Sequence, residues 1–288
     1  MKTYRGEPAI YGSKQTEKKQ ADLKVVDLSL SFGGVMALSH VDLHIDTGEL
    51  LAVIGPNGAG KTSLLNCLTG YYRPQQGKIY FNKRDITHLP THELIHRGIG
   101  RTFQNIELFP GMTVLSNMLL ARHVHCHYNL GLACLFSPSV RREEVRHRQI
   151  IEELIDFLEM QAIRKQLVGS LPYGLRKRVE LGRAMALEPA LLVLDEPFAG
   201  MTLEEKEDMV RFLSELSERW NQTMILVEHD MSIVMTISER IVVLNFGEKL
   251  AEGTPDEIQR NPEVIKAYLG DESPDTGEAG GDGVANGR

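Results

Sequence analysis

Two rhythms of apolar and polar positions run along the chain. In VVDLSLSF (residues 25–32) and ALSHVDLHI (37–45) apolar residues alternate with polar ones, the pattern of antiparallel strands with one face buried and one wet. In LLAVI (50–54), LLVLD (191–195), MILVE (224–228) and IVVLN (241–245) the apolar residues are consecutive, which suits strands covered on both faces in a parallel sheet. Helical patterns lie between the first three of these runs. The set predicts an α/β core with an antiparallel edge. From about 106 to 190 the rhythm changes. VRREEVRHRQIIEELIDFLEM (140–160) has the period of a long amphipathic helix, and few strand signals surround it. This stretch is predicted to be a helical subdomain inserted into the core.

The two ends read differently again. Residues 1–21 are polar and lysine-rich, and residues 271–288 (DESPDTGEAGGDGVANGR) are rich in Gly, Asp and Glu. Neither buries enough apolar surface to offset the entropy of ordering, so both are expected to be flexible, leaving 22–270 as the folded domain. Within 254–270, Thr254-Pro255 and Asn261-Pro262 each predict the start of a short helix. Hydrophobic residues make up 42% and charged residues 25% of the 288, as in soluble globular proteins. The net charge of −7, from 32 basic and 39 acidic residues, argues against a nucleic-acid binder. Cys67, Cys126 and Cys134 are odd in number and lack framework spacing, so they read as thiols in a reducing compartment. No run approaches the roughly 18 apolar residues that span a bilayer, and MKTYRGEPAIYGSKQTEKKQ has no apolar signal-peptide centre. The expectation is a cytoplasmic chain that does any membrane work through partners.

Chemistry first appears at 50–70, LLAVIGPNGAGKTSLLNCLTG: a buried strand, a glycine-rich turn and a helix. The turn Gly55-Pro56-Asn57-Gly58-Ala59-Gly60-Lys61-Thr62-Ser63 fits G-x-x-x-x-G-K-[ST]. Glycines let successive N–H groups point inward at phosphate oxygens, and the helix N-terminus adds positive potential. Lys61 is then placed to reach the β- and γ-phosphates, and the Thr62 hydroxyl to ligate Mg²⁺. LLVLDEP (191–197) ends a strand in two acids. Asp195 suits the Mg²⁺ shell and Glu196 the polarisation of an attacking water. FNKRD (81–85) matches the guanine-reading N-K-x-D but follows Lys61 by only about twenty residues, so Asn82 to Asp85 reads as a surface turn. HVHCH (123–127) with His147 lacks the paired spacing of a zinc site and reads as a polar loop.

Taken together these motifs resemble the ATP-binding cassette of ABC transporters, over residues 23–270. The resemblance implies a P-loop NTPase core of mixed sheet with an antiparallel β edge and the inserted helical subdomain, that is, an ABC nucleotide-binding domain. It implies ATP and Mg²⁺ as cofactors. Phe32, in SFGG, sits where the family stacks an aromatic ring on adenine, or packs within its strand. Gln104, in RTFQN, sits at the glutamine loop that touches Mg²⁺ or the water, or is an ordinary loop amide. His229, in LVEHD, matches the switch histidine that contacts the γ-phosphate, or caps the following helix.

LPYGLRKR (171–178) falls about twenty residues before Asp195, where the family has its LSGGQ signature, which grips ATP held by the other cassette of a dimer. Leu171 and Gly174 keep the pattern; Pro172, Tyr173 and Leu175 replace its serine, first glycine and glutamine. A proline is accommodated at a helix start, but the hydroxyl is gone, and a hydrogen bond to a charged group contributes roughly 1.5–3 kcal/mol. Arg176 and Lys177 either compensate in part for the lost hydroxyl or read, more simply, as solvated helix face. Thr202, in FAGMT, stands where the family has Asp or Asn at the dimer seam. The expectation is an asymmetric dimer, this chain's phosphate loop pairing with an intact signature on a different cassette.

Within the family, GIGRTFQNIELFPGMTVLSNM, EHDM, VMTISERIVVLNFG and GTPDEIQRNPEVIKAYLG resemble the ATPase subunits of branched-chain amino-acid importers and their urea and amide relatives. That implies an ATP-hydrolysing subunit at the cytoplasmic face of the cell membrane, working with a second ATPase subunit, two permeases and, indirectly, a solute-binding protein, and with no nucleic acid. The alternatives are an importer for urea, amides or another solute, a soluble ABC ATPase without a permease, and a subunit that binds ATP but barely hydrolyses it. One cassette without sustained heptads disfavours the second. Intact Lys61, Asp195, Glu196 and His229 disfavour the third.

Overall fold

The computed structural model describes residues 20–102, 106–126 and 138–269. Strands β1 (Leu23–Phe32) and β2 (Val35–Ile45) form an antiparallel pair across a turn of two glycines, Gly33 and Gly34, with φ of 53° and 87°. The strand β4 (Gln76–Phe81) lies on the other side of β1 and continues into β5 (Arg84–Asp85), giving a four-stranded sheet in the order β2-β1-β4-β5. Asn82 and Lys83 make the β4–β5 turn with φ of 50° and 63°, and Asn82 Nδ2 donates to Gln20 O at 2.7 Å. The N-K-x-D decoy is therefore a hairpin turn. Ala21, at the edge of the segment expected to be flexible, is buried, and its N–H donates to Thr47 Oγ1 at 3.0 Å.

The second sheet holds β3 (Leu50–Ile54), β6 (Ile99–Arg101), β7 (Leu191–Asp195), β8 (Thr223–Val227), β9 (Arg240–Asn245) and β10 (Glu248–Gly253), in the order β10-β9-β3-β8-β7-β6. All pairs are parallel except β10–β9. The described helices are α1 (Lys61–Leu68), α2 (Thr91–His96), α3 (Val114–Ala121), α4 (Pro138–Phe157), α5 (Tyr173–Ala186), α6 (Leu203–Trp220), α7 (Met231–Ile237), α8 (Pro255–Arg260) and α9 (Pro262–Leu269). Among the described residues no helix is long and apolar enough to cross a membrane.

Every residue of β3, β7 and β8 is buried, because the period-two alternation feeds two cores at once. Leu51, Val53, Leu191, Val193, Ile225 and Val227 pack toward α1 and the antiparallel sheet. Leu192, Leu194, Met224 and Leu226 face the opposite way, into a core shared with α3, α4, α5 and α6. The consequence for function is geometric. Since β3, β7 and β8 run parallel, the segments that follow them, beginning at Gly55, Glu196 and Glu228, leave at one edge, where ligands bind in open α/β sheets.

Candidate functional site

The turn after β3 is built on conformations that side chains resist. Gly55, Gly58 and Gly60 have φ of 150°, 78° and 101°. A Cβ on Gly55 would lie 2.1 Å from Leu244 O, and one on Gly60 2.5 Å from Ala37 O, so the loop is pressed against backbone that cannot yield. The first residue of α1, Lys61, is buried and its Nζ donates to Gly55 O at 2.6 Å and Pro56 O at 2.9 Å. Burial pushes the Lys61 ammonium below its ordinary pKa, while Glu196 and Asp195 push it back up. The lysine and both acids thus share one electrostatic neighbourhood. Thr62 is exposed at the first turn of α1, with Ser63 partly so; Asn57 and Gly58 are exposed at the tip of the loop.

Asp195, the last residue of β7, is buried and held by a residue that sequence reading passed over. Arg101 Nη2 donates to Asp195 Oδ2 at 2.8 Å. Glu196 follows in the left-handed region, φ 46°, its N–H donating to Val227 O at 2.9 Å. A non-glycine residue held there costs on the order of 1–3 kcal/mol, and such strain gathers at working sites. A second buried carboxylate was also missed. Glu228 accepts from the N–H groups of Phe198 (3.1 Å), His229 (2.9 Å) and Asp230 (3.4 Å), tying the turn after β8 to the turn after β7. His229 itself is 65% exposed beside it. The helix N-cap is Asp230, not His229, and Lys206 on α6 donates to its carboxylate at 2.7 Å.

Phe32 ends β1, 47% exposed, with its ring 5.0 Å edge-on from Tyr72. Tyr71 stands 5.4 Å from Tyr72. Gln104 lies outside the described residues.

The LPYG stretch opens α5, and a residue further along that helix, Lys177, departs from expectation. Pro172 is the N-cap of α5, not its first residue. It is extended at φ −52° and ψ 156° with no side-chain cap, and its carbonyl accepts the first helical bond from Arg176 N. Gly174 is buried under Glu205, and a Cβ there would lie 2.1 Å from Glu205 Cδ. Lys177 is not solvated face. It lies 3.6 Å from Glu180, both side chains only 2% exposed, because α5 is covered by neighbouring helices and pairing is what makes a buried lysine tolerable. Arg176 lies over the Tyr173 ring at 5.6 Å. Thr202, read as a changed seam residue, is the N-cap of α6 in a capping box with Glu205.

Cys126, Glu143 and His147 do come together, their ligand atoms within 4.8 Å of one another. Arg122 Nε, however, donates to His147 Nδ1 at 2.9 Å. That assigns the ring proton to Nε2, the atom 3.6 Å from Glu143, and places a guanidinium where a metal needs a bare lone pair on the ring. Arg122 also donates to Ala186 O at 2.7 Å and pairs with Glu188 at 3.0 Å, so the group clamps α4 to the end of α5. Elsewhere a cleft of about 480 Å³ opens between the core and the helical part, lined by Tyr71, Ile95, Ile99, Arg101, Leu120 and Leu187 among others.

Comparison with known proteins completes the description. The family model described as ABC transporter matches residues 38–199, and the one described as Branched-chain amino acid ATP-binding cassette transporter matches residues 248–273. The chain is 42% identical over 249 residues to the high-affinity branched-chain amino acid transport ATP-binding protein BraF of Pseudomonas aeruginosa, covering 86% of this chain and 98% of BraF. The crystal structure of the ADP conformation of MJ1267, an ATP-binding cassette of an ABC transporter, superposes with a TM-score of 0.75 at 30% identity, covering 87% of this chain and 99% of that one. A dimeric post-hydrolysis cassette, MJ0796 bound to ADP and Pi, superposes with a TM-score of 0.69 at 26% identity, covering 81% and 98%.

Proposed function

The chain belongs to the ABC transporter family of ATP-binding cassettes, and from that premise we propose that it is the ATP-hydrolysing subunit of an importer for branched-chain amino acids. The observation that carries the reading is a joint one. A phosphate loop whose buried lysine shares its surroundings with both acids at the end of β7 sits in a chain aligned with BraF over nearly BraF's whole length.

In this reading the N–H groups from Asn57 to Ser63 and the Lys61 ammonium receive the phosphates, and Lys61 gives up its two loop carbonyls to do so. Phe32 stacks the adenine. Glu196, held at the sheet edge by its bond to Val227, orients the attacking water, and His229 faces the γ-phosphate from the turn that Glu228 secures. The oxygen donors Thr62 and Asp195 fit Mg²⁺, which supplies charge neutralisation of the phosphates when bound. Gln104 is proposed for the same shell on the family pattern alone.

Two copies of the fold are needed, as in the dimeric MJ0796 cassette. We assign this chain to a heterodimer, because the LPYG segment offers no hydroxyl at Pro172 and Glu205 already covers Gly174. In this reading the protein works at the cytoplasmic face of the membrane, with a solute-binding protein acting through the permeases; the apolar cleft beside Arg101 supports it as a seat for a permease segment. The test is reconstitution with the permeases. ATP turnover should rise when a leucine-type solute and its binding protein are added, and Glu196→Gln here should cost more than the matching change in the partner cassette. Turnover indifferent to such solutes refutes the substrate class, and equal losses refute the asymmetry.

A further inference from the structure

Asp195 has two carboxylate oxygens, and one of them is already committed. Arg101 Nη2 donates to Asp195 Oδ2 at 2.8 Å, with the two side chains 9% and 3% exposed. The guanidinium cannot swing, because Nη1 donates to Asn66 Oδ1 at 2.7 Å and Thr69 Oγ1 at 2.9 Å at the end of the phosphate-loop helix. Thr69 Oγ1 is fixed in turn by donating to Leu65 O at 2.8 Å. The backbone is pinned as well: Asp195 N–H donates to Thr102 Oγ1 at 3.3 Å, on the residue after Arg101.

We propose that Arg101 is a positioning residue that sets metal specificity, locking Asp195 so that only Oδ1 is offered to the metal–nucleotide site and Mg²⁺ is selected over Ca²⁺. The inference rests on the reading of Asp195 as the metal carboxylate. Mg²⁺ demands near-octahedral geometry at about 2.0–2.1 Å and keeps several waters, whereas Ca²⁺ takes 6–8 oxygens at about 2.3–2.6 Å and accepts carboxylates through both oxygens. A carboxylate with one oxygen held on a guanidinium is a poor chelate, because a dication at that oxygen would face the arginine's charge; it serves instead as a single-point ligand, or accepts from a water on the ion. Three acceptors held at fixed angles by one side chain call for the planar fork of arginine, which lysine cannot reproduce.

The test compares wild type, Arg101→Met and Arg101→Lys in equilibrium binding of a fluorescent ATP analogue with Mg²⁺, with Ca²⁺ and with EDTA, each protein checked for fold by circular dichroism. Arg101→Met should bind the metal-free analogue within about twofold of wild type, since Lys61 and the loop amides are untouched, while its preference for Mg²⁺ over Ca²⁺ falls at least fivefold. Arg101→Lys should fall between the two. A double variant, Asn66→Ala with Thr69→Val, leaves Arg101 in place but removes its anchors. It should move the ratio the same way, and it stands in for Arg101→Met should that variant not fold. An unchanged Mg²⁺-to-Ca²⁺ ratio overturns the proposal, as does an equal loss of binding in all three conditions, which would make Arg101 merely structural. Wild type that binds no nucleotide in any condition sinks the functional reading itself, and the wild-type arm alone reveals it.

Discussion

Gly174→Ala is the perturbation whose size the structure sets most directly. Gly174 is the second residue of α5 and has no positive φ, so alanine fits the backbone and should stabilise the fold by about 0.4–1 kcal/mol, chiefly by restricting the unfolded chain. Its methyl, however, would arrive 2.1 Å from Glu205 Cδ and Oε1. Glu205 must then leave the capping box, in which its Oε2 accepts from Thr202 N at 2.9 Å and its own N–H donates to Thr202 Oγ1. The Glu205 N–H bond to Thr202 Oγ1 comes from the backbone and stays; what is lost is the charge-assisted bond that the carboxylate accepts from Thr202 N, about 2 kcal/mol within the roughly 1.5–3 kcal/mol such bonds contribute. The net is a destabilisation of about 1–1.6 kcal/mol with Glu205 present and a stabilisation of about 0.4–1 kcal/mol in a Glu205→Ala background. That is a coupling of about 2 kcal/mol. In a domain of this size, 1 kcal/mol moves Tm by about 2–4 °C, so thermal unfolding of the four proteins should show Gly174→Ala lowering Tm in one background and raising it in the other. Effects of equal sign and size in both, with coupling under about 0.5 kcal/mol as for independent sites, would refute the claim that Glu205 covers Gly174.

Other consequences follow from single side chains. Phe32→Ala should weaken ATP binding by one to two orders of magnitude while Phe32→Tyr preserves it, since stacking on a base contributes about 1–3 kcal/mol; titration with ATP measures both. Burial, and after it the charge of Arg122, holds the His147 pKa below the ordinary 6.5. The unfolded chain therefore binds the proton more readily, and stability is full above about pH 6.5 and lost as pH falls from there toward the folded-state pKa. Urea unfolding from pH 7.5 to 5.5 should show this slope, and His147→Gln should flatten it. Burial pushes the Cys67 thiol up to about 12, whereas Cys126 is half-buried. Alkylation at neutral pH followed by peptide mapping should modify Cys126 well before Cys67.

What was legible in the sequence was what local pattern encodes. The apolar runs gave β3, β7, β8 and β9 because a strand covered on both faces has no polar positions to confuse the reading. The glycine turn was legible because its φ values and close approaches leave no other residue. Arg101 was not legible. It lies on a three-residue strand, Ile99–Arg101, too short for any period, and its partners Asn66, Thr69 and Asp195 are brought to it only by the sheet order. Lys177 was read as solvent face because charge usually is; only the packing of α5 shows that it and Glu180 are buried together. Thr202 is a different case, since Thr-x-x-Glu before a helix is itself a capping-box pattern. The signal was present and was read instead against the family's seam residue.

The most direct test of the central claim is the crystal structure of Glu196→Gln with Mg-ATP. The account predicts the phosphates among the N–H groups of Asn57 to Ser63, Lys61 Nζ moved from Gly55 O and Pro56 O onto them, and Asp195 and residue 196 facing the γ-phosphate. Nucleotide bound away from this loop, or bound there with Lys61 still on its carbonyls and Asp195 turned aside, would contradict it.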